Sequence, residues 1–259
     1  NIALILNIAP DHLESHKTFQ NYVNAKLKLI KKQKKKSIAL IEKRNGLIRD
    51  ILKSQKVKSK IKSVDFKEYD SFYKKIKNNY FKNLSNIKNL SFVLALSNIL
   101  KLDNSKILKV VNSFKGLNYR QQIVYNKKKF LIINDSKSTS FSSTVPLLQS
   151  YENIYWILGG LAKKGDKLNL NKKYFKKIKA YIYGTNKAFF LNVLKNKCRL
   201  HSSKNLKDIL SKLFLDIKKN KNVKKTILFS PAAASFDQFK NFEERGRYFN
   251  QLLKKYINA

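Results

Sequence analysis

Ile154-Tyr155-Trp156-Ile157-Leu158-Gly159-Gly160 runs five apolar residues into a pair of glycines. A strand with one face in water alternates apolar and polar side chains, whereas a strand covered on both faces is apolar throughout. Thr226-Ile227-Leu228-Phe229 repeats the pattern and stops at Ser230-Pro231. Such strands need helices packed on either side, so the chain reads as α/β and its second half as a doubly wound, Rossmann-like sheet. Working outward, strands are predicted near 121–125, 129–133, 179–183 and 198–201, beside those near 154–158 and 225–229. Helices are predicted near 141–150, 170–178, 186–195, 204–219 and 240–256. In sheets of this type ligands sit beyond the carboxyl ends of the strands. Three polar or small-residue stretches fall there, 134–140, 159–166 and 230–237, and are expected to line one crevice.

The first half reads as strand 2–8, helix 18–33, strand 37–42, helix 45–53 and short strands around 61–69. Helices near 86–101 and 104–114 follow, the second starting on Asp103 or Asn104 as N-cap. Gly116 closes this part, which predicts a domain boundary near 117, hence domains over 1–117 and 118–259. No apolar run approaches the ~20 residues of a membrane-spanning helix. The one cysteine, Cys198, excludes an internal disulfide and fits a reducing compartment. The chain contains no methionine and opens on the apolar run Ile2-Ala3-Leu4-Ile5-Leu6, so we expect it to be the C-terminal part of a longer protein.

The formal charge is +40, and the chain is 43% hydrophobic, too apolar for a disordered polycation. A charge of this size suggests nucleic acid or an anionic surface. Only six of the 56 cations are arginine, however, and arginine is the preferred bidentate reader of phosphate and guanine. The lysines are spread along the chain, with runs such as 34–36 where a helix should end, as the helix dipole favours. Specific nucleic-acid binding is therefore a secondary reading, and salt-sensitive attraction to polyanions is expected regardless.

Four stretches could carry chemistry. Asn7-Ile8-Ala9-Pro10-Asp11-His12 ends a strand on an imidazole able to face a metal or phosphate, with Tyr22 and Lys26 one helical turn apart downstream. Read alone, Lys26 is one solvated lysine among fifty, and His12 and His16 lack the order of a zinc motif. Asn134-Asp135-Ser136-Lys137-Ser138-Thr139-Ser140 places a carboxylate, a lysine and hydroxyls ahead of a helix, as an anion-binding corner or a plain N-cap. Gly159-Gly160-Leu161-Ala162-Lys163-Lys164-Gly165-Asp166 allows close backbone approach to a ligand and offers Lys163 to a carboxylate, or is a turn. It is no P-loop, because Gly-x4-Gly-Lys-[Ser/Thr] is absent from the chain. Ser230-Pro231-Ala232-Ala233-Ala234-Ser235-Phe236-Asp237, continuing to Phe242-Glu243-Glu244-Arg245-Gly246, combines small residues with the Ser235 hydroxyl, for a ligand or for tight core packing.

In order and spacing these stretches resemble the Mur ligases, most closely the members that add D-glutamate. The motifs Asn-x-x-x-Asp-His…Tyr-x-x-x-Lys, Asn-Asp-Ser-Lys-x-Thr, Gly-Gly-x-x-Lys and Ser-Pro-Ala-x-Ala-Ser-Phe-Asp-x-Phe…Phe-Glu-x-Arg-Gly span almost the whole chain. The resemblance implies part of the family's central, ATP-binding domain over 1–117 and its amino-acid-binding C-terminal domain over 118–259. It implies an ADP-forming, cytoplasmic, monomeric ligase of peptidoglycan synthesis with ATP and Mg²⁺ as cofactors. Its substrates would be UDP-N-acetylmuramoyl-L-alanine and D-glutamate, joined through an acyl phosphate. By the same resemblance His12 binds Mg²⁺ beside Asp11, and Lys26, as a carbamate held by Tyr22, supplies an oxygen ligand to it. Asn89, Arg120 and Asp135 would contact ATP, and Lys137 would stand by the transferring phosphate. Thr139, Lys163, Ser235, Phe236 and Phe242 would surround D-glutamate, Lys163 and Ser235 facing its side-chain carboxylate.

The chain departs from the family pattern at Phe92, which replaces a second adenine-side asparagine and offers a ring for stacking instead. It departs again at Tyr119 for histidine, at Ala162 for aspartate and at Ser140 for asparagine. The family's uridine-binding domain, P-loop and acidic ligand of the other Mg²⁺ would lie upstream of residue 1, so the chain by itself is expected to show no turnover. Other readings are a folylpolyglutamate synthase or sister cell-wall ligase, a catalytically silent homologue, and a basic nucleic-acid-binding module.

Overall fold

Apolar runs buried on both faces need a layer of helices on each side, and each half of the chain supplies them. The computed structural model describes residues 1–8, 13–53, 57–127, 129–218 and 223–257. It divides into two compact units, Asn1–Phe114 and Lys115–Ala259.

In the first unit β1 (Ile2–Ile5), β2 (Ile38–Glu42) and β3 (Lys60–Val64) form a parallel sheet in that order. Its helices are α1 (Leu13–His16), α2 (Phe19–Lys31), α3 (Gly46–Lys53), α4 (Asp70–Tyr73), α5 (Leu84–Ile99) and α6 (Asn104–Ser113). The Thr18 hydroxyl accepts the Asn21 amide at 3.1 Å and so starts α2. Val23, Leu27 and Ile30 of α2 then pack with Ile48 and Leu52 of α3 on one face of the sheet. Leu40, Val64 and Phe92 form the core on another side. Asp103 caps α6, as its sequence suggests, accepting the Ser105 amide at 2.8 Å.

Two predicted elements are shorter than expected. Strand 2–8 ends at Ile5, and the stretch read as short strands around 61–69 turns at Asp65. There the carboxylate accepts the Lys67 amide at 3.1 Å and winds Phe66–Tyr69 into a 3₁₀ turn.

In the second unit six strands run β4 (Gln122–Lys127), β5 (Phe130–Asn134), β6 (Ile154–Gly159), β7 (Ile178–Tyr183), β8 (Arg199–Ser202) and β9 (Lys225–Phe229) along the chain. Across the sheet the order is β4-β5-β9-β6-β7-β8. All neighbours are parallel except the β4–β5 pair. The helices are α7 (Phe141–Ser150), α8 (Lys172–Phe175), α9 (Lys187–Leu194), α10 (Leu206–Lys218) and α11 (Phe242–Ile257). Helices α10 and α11 cover one face through Leu210, Leu213, Phe249 and Leu253. Helices α7, α8 and α9 cover the opposite one through Phe141, Leu147, Phe175 and Phe190. This is the expected doubly wound arrangement, and every residue of β6 and β9 is buried. The helix expected over 170–178 is a single turn, because Ile178 already pairs with Ile154 in the sheet.

Strand β9 returns from the far edge to insert between β5 and β6. That crossover puts the carboxyl ends of β5, β9 and β6 side by side.

Candidate functional site

The loops 134–140, 159–166 and 230–237 leave those three neighbouring ends and are bonded to one another. Leu161 and Ala234 exchange amide-to-carbonyl hydrogen bonds at 3.0 and 2.9 Å, and the Gly159 amide donates to the Pro231 carbonyl at 3.0 Å. Thr139, Lys163 and Ser235 therefore stand on adjoining loops of one sheet end. The paired glycines admit the protein's own backbone. A Cβ at Gly159 would strike the Tyr183 carbonyl, and one at Gly160 the Ala234 carbonyl; both residues sit at positive φ, +139° and +127°. The close approach that these glycines permit is used by the protein's own strand ends.

Buried hydroxyls extend the seam inward. The Ser138 Oγ lies 2.6 Å from Thr144 Oγ1, which lies 2.8 Å from Ser230 Oγ. Ser230 donates to Asp135 Oδ2 at 2.9 Å, and the Gln121 amide donates to Asp135 Oδ1 at 3.1 Å. Asp135 is only 5% exposed, and burial pushes its carboxyl up to about 7, against the pull of those two hydrogen bonds and of Arg120 and Arg245. Both carboxylate oxygens are thus engaged within the protein.

Arg245, 1% exposed, is the clamp. Its Nε donates to the Ser136 hydroxyl at 3.0 Å, its Nη2 to the Ser136 carbonyl at 2.7 Å and its Nη1 to the Ala233 carbonyl at 3.0 Å. The Ser136 hydroxyl in turn donates to the Phe242 carbonyl at 2.8 Å, and Asn134 Nδ2 donates to the Gly246 carbonyl at 2.9 Å. Two loops and the start of α11 are locked together. Arg245 falls within a recognisable sequence motif, but nothing in the sequence alone marks it as the residue that joins these loops.

Around this frame the expected substrate side chains differ in exposure. Lys137 is exposed, its Nζ 4.3 Å from the centroid of the half-buried Phe242 ring, a cation–π contact between two predicted site residues. Thr139 and Lys163 are half-buried, Ser235 is buried, and Phe236 is 71% exposed. Asp166, in the same loop as Lys163, accepts the first amide of α7, from Phe141, at 2.7 Å. It occupies the helix end expected to serve an anion or an N-cap. The β7 loop adds a fourth wall: Asn186 Oδ1 accepts the Ala162 amide at 2.9 Å, and Asp237 accepts the Thr185 amide at 3.2 Å.

In the first unit, His12 and Asp11 lie outside the described residues. Lys26 is exposed on α2, its Nζ 5.4 Å from the Tyr22 ring centroid, and His16 meets that ring edge-on at 5.3 Å. Among the described residues no three His, Cys, Asp or Glu side chains gather as metal ligands. An ammonium repels Mg²⁺, so Lys26 fits that ion only if carbamylated. Asn89 is exposed on α5, beside Lys88, whose Nζ donates to Glu42 at 2.6 Å. Phe92 is 2% exposed in the core with Leu40 and Val64. The adenine stacking expected of its ring is therefore ruled out, because the ring is spent on packing α5 to the sheet.

A family model described as Mur ligase middle domain matches residues 1–148, running past the first unit into α7. The UDP-N-acetylmuramoylalanine–D-glutamate ligase of Rickettsia prowazekii is 35% identical over 98% of this chain and 61% of its own length. That of Rickettsia bellii is 34% identical over 97% and 60%. This chain thus spans about three-fifths of the length of these relatives. Among solved structures, a MurF ligase from Thermotoga maritima in complex with ADP matches 99% of the chain and 63% of its own, at 16% identity and a TM-score of 0.64.

Proposed function

The chain belongs to the Mur ligase family, and from that premise we propose that it is part of an ATP-dependent ligase that adds D-glutamate to UDP-N-acetylmuramoyl-L-alanine, carrying both nucleotide-side and amino-acid-side residues. The observation that carries the reading is the convergence of Thr139, Lys163 and Ser235 on bonded loops at adjoining strand ends, with Lys137 exposed beside them. Its support in comparison is the D-glutamate-adding name of the Rickettsia relatives and the ADP held by the Thermotoga neighbour.

When bound, ATP supplies the phosphoryl group that activates the alanyl carboxylate, and Mg²⁺ neutralises phosphoryl charge. Lys26 as a carbamate, with His12, would hold that ion, and Asn89, Arg120 and Asp135 would serve the nucleotide. For Asp135 this is a second duty, since its oxygens already join Gln121 to Ser230. The Lys137 ammonium, poised over Phe242, stabilises negative charge on the transferring phosphate. Thr139, Lys163 and Ser235 hold D-glutamate so that its amine meets the acyl carbon, and phosphate departs as the amide bond forms. Phe242 shapes the apolar side of the site, and the exposed Phe236 would border the substrate with it. The domain assignment follows: 1–117 to the central domain and 118–259 to the amino-acid domain, in a cytoplasmic monomer.

The test is to assay phosphate release by the chain, alone and fused behind the N-terminal portion of a family member, with D-glutamate, L-glutamate, L-lysine or diaminopimelate. D-Glutamate-dependent turnover by the fusion is expected. Preference for another amino acid would transfer the chain to a sister ligase, and a folded but silent fusion would overturn the reading.

A further inference from the structure

Residues 117–121 carry an unusual backbone. Tyr119 and Gln121 both adopt the left-handed conformation, at φ 60° and 51°, although neither is glycine. Such residues persist only where surrounding contacts dictate them. Here the contacts are identifiable. The Arg120 amide closes a turn on the Leu117 carbonyl at 3.2 Å, and the Gln121 amide is held by Asp135. The Tyr119 carbonyl accepts the Lys137 amide at 2.9 Å.

The Tyr119 ring provides the remaining constraint. It fills the space beside Gly246 in α11, where a Cβ would stand 2.6 Å from the ring's Cγ and 3.0 Å from Tyr119 Cβ. Glycine inside a helix is unfavourable relative to alanine, so its presence at 246 calls for a packing reason. The ring is that reason. Arg120 is bonded covalently to Tyr119, and Lys137 is bonded to it through its amide; both cations are exposed.

We infer that Tyr119, seated against Gly246, is a positioning residue that sets where Arg120 and Lys137 stand. For the function of those two cations the inference rests on the ligase reading above; the coupling itself does not. The contact would tie the segment entering the second unit to the loop after β5 and to α11.

The test is a cycle of Y119A, G246A and the double variant in the chain as it exists, read by amide hydrogen exchange. Lys137 and Gln121 amides should exchange at least about tenfold faster in G246A, while the amides of β6 and β9 keep their protection. In the Y119A background G246A should add nothing, and Y119F should behave as the parent. Unchanged Lys137 exchange in both single variants, or additive effects in the double, would overturn the coupling. If G246A does not fold, loss of Lys137 protection in Y119A with α11 still protected supports it, and retained protection refutes it. In the fusion, Y119A should lower kcat at least tenfold while Y119F restores it; equal kcat would remove the positioning role. A fusion inactive with every amino acid would fail the ligase reading and leave the exchange result to decide the coupling.

Discussion

Arg245 and Ser136 lie 109 residues apart in sequence and are joined by two hydrogen bonds, from Nη2 to the Ser136 carbonyl at 2.7 Å and from Nε to its hydroxyl at 3.0 Å. A third bond carries the same guanidinium to Ala233 at 3.0 Å. Only a planar, forked cation reaches all three acceptors from one place.

Arg245→Ala should therefore destabilise the second unit by about 2–4 kcal/mol, because it leaves the buried Ser136 and Ala233 carbonyls without their donor. Arg245→Lys should recover little of this, since one ammonium cannot span the three acceptors. Denaturant midpoints of the two variants check it, and a lysine variant as stable as the parent would show that charge alone suffices.

Asp135 predicts a pH dependence. Its folded pKa is pushed up to about 7 from 3.8, so between those values the folded state binds the proton more tightly than the unfolded state. Stability contributed by this group is then full below the unfolded value and declines as pH rises through about 7. Asp135→Asn keeps the shape without the charge, and the Ser230 hydroxyl can turn to accept from the amide. The variant should melt higher than the parent at pH 8, by less at pH 5, and close to it only below about pH 4. A difference independent of pH would place the cost elsewhere.

Much of the fold was legible because the residues had only one way to be satisfied. Ile154–Leu158 is apolar on both faces, so both faces had to be covered, and α7 and α10 cover them. The overrun past Val64 has a local cause. Phe66 and Tyr69 have the side chains of a strand, but Asp65 turns the chain by accepting the Lys67 amide, a local bond that hydrophobic pattern does not register. Phe92 misled for a related reason: α5 is apolar around much of its circumference, so position alone did not say which face was interior. Lys137, Lys163 and Ser235 were legible as motif residues. Arg245 was not, because its partners, Ser136 and Ala233, are set by a crossover joining distant segments.

Lys163→Ala in the fused enzyme should raise KM for D-glutamate about tenfold to hundredfold, the equivalent of one charge-assisted hydrogen bond of ~1.5–3 kcal/mol. The nucleotide KM should stay within about twofold, because the residue leaves β6 on the amino-acid side of the proposed site. Steady-state kinetics with each substrate varied separately make the distinction. An unchanged D-glutamate KM would remove Lys163 from the site and leave its loop a structural role through Asp166 and α7.

Lys26 tests the metal side. Its Nζ lies over the Tyr22 ring on an exposed helix face, open to CO₂. Carbamylation replaces a cation by an anion with two oxygen donors, the ligand type that Mg²⁺ prefers. With ¹³C-bicarbonate, the protein should therefore show a carbamate carbonyl resonance that Lys26→Ala lacks, strengthened by Mg²⁺. The fused Lys26→Ala enzyme should lose at least about a hundredfold in kcat, as expected when an oxygen ligand to the metal is removed, and short carboxylic acids should restore part of it. A variant that keeps the resonance would assign it to another lysine, and one with parental kinetics would show that the lysine is merely solvated.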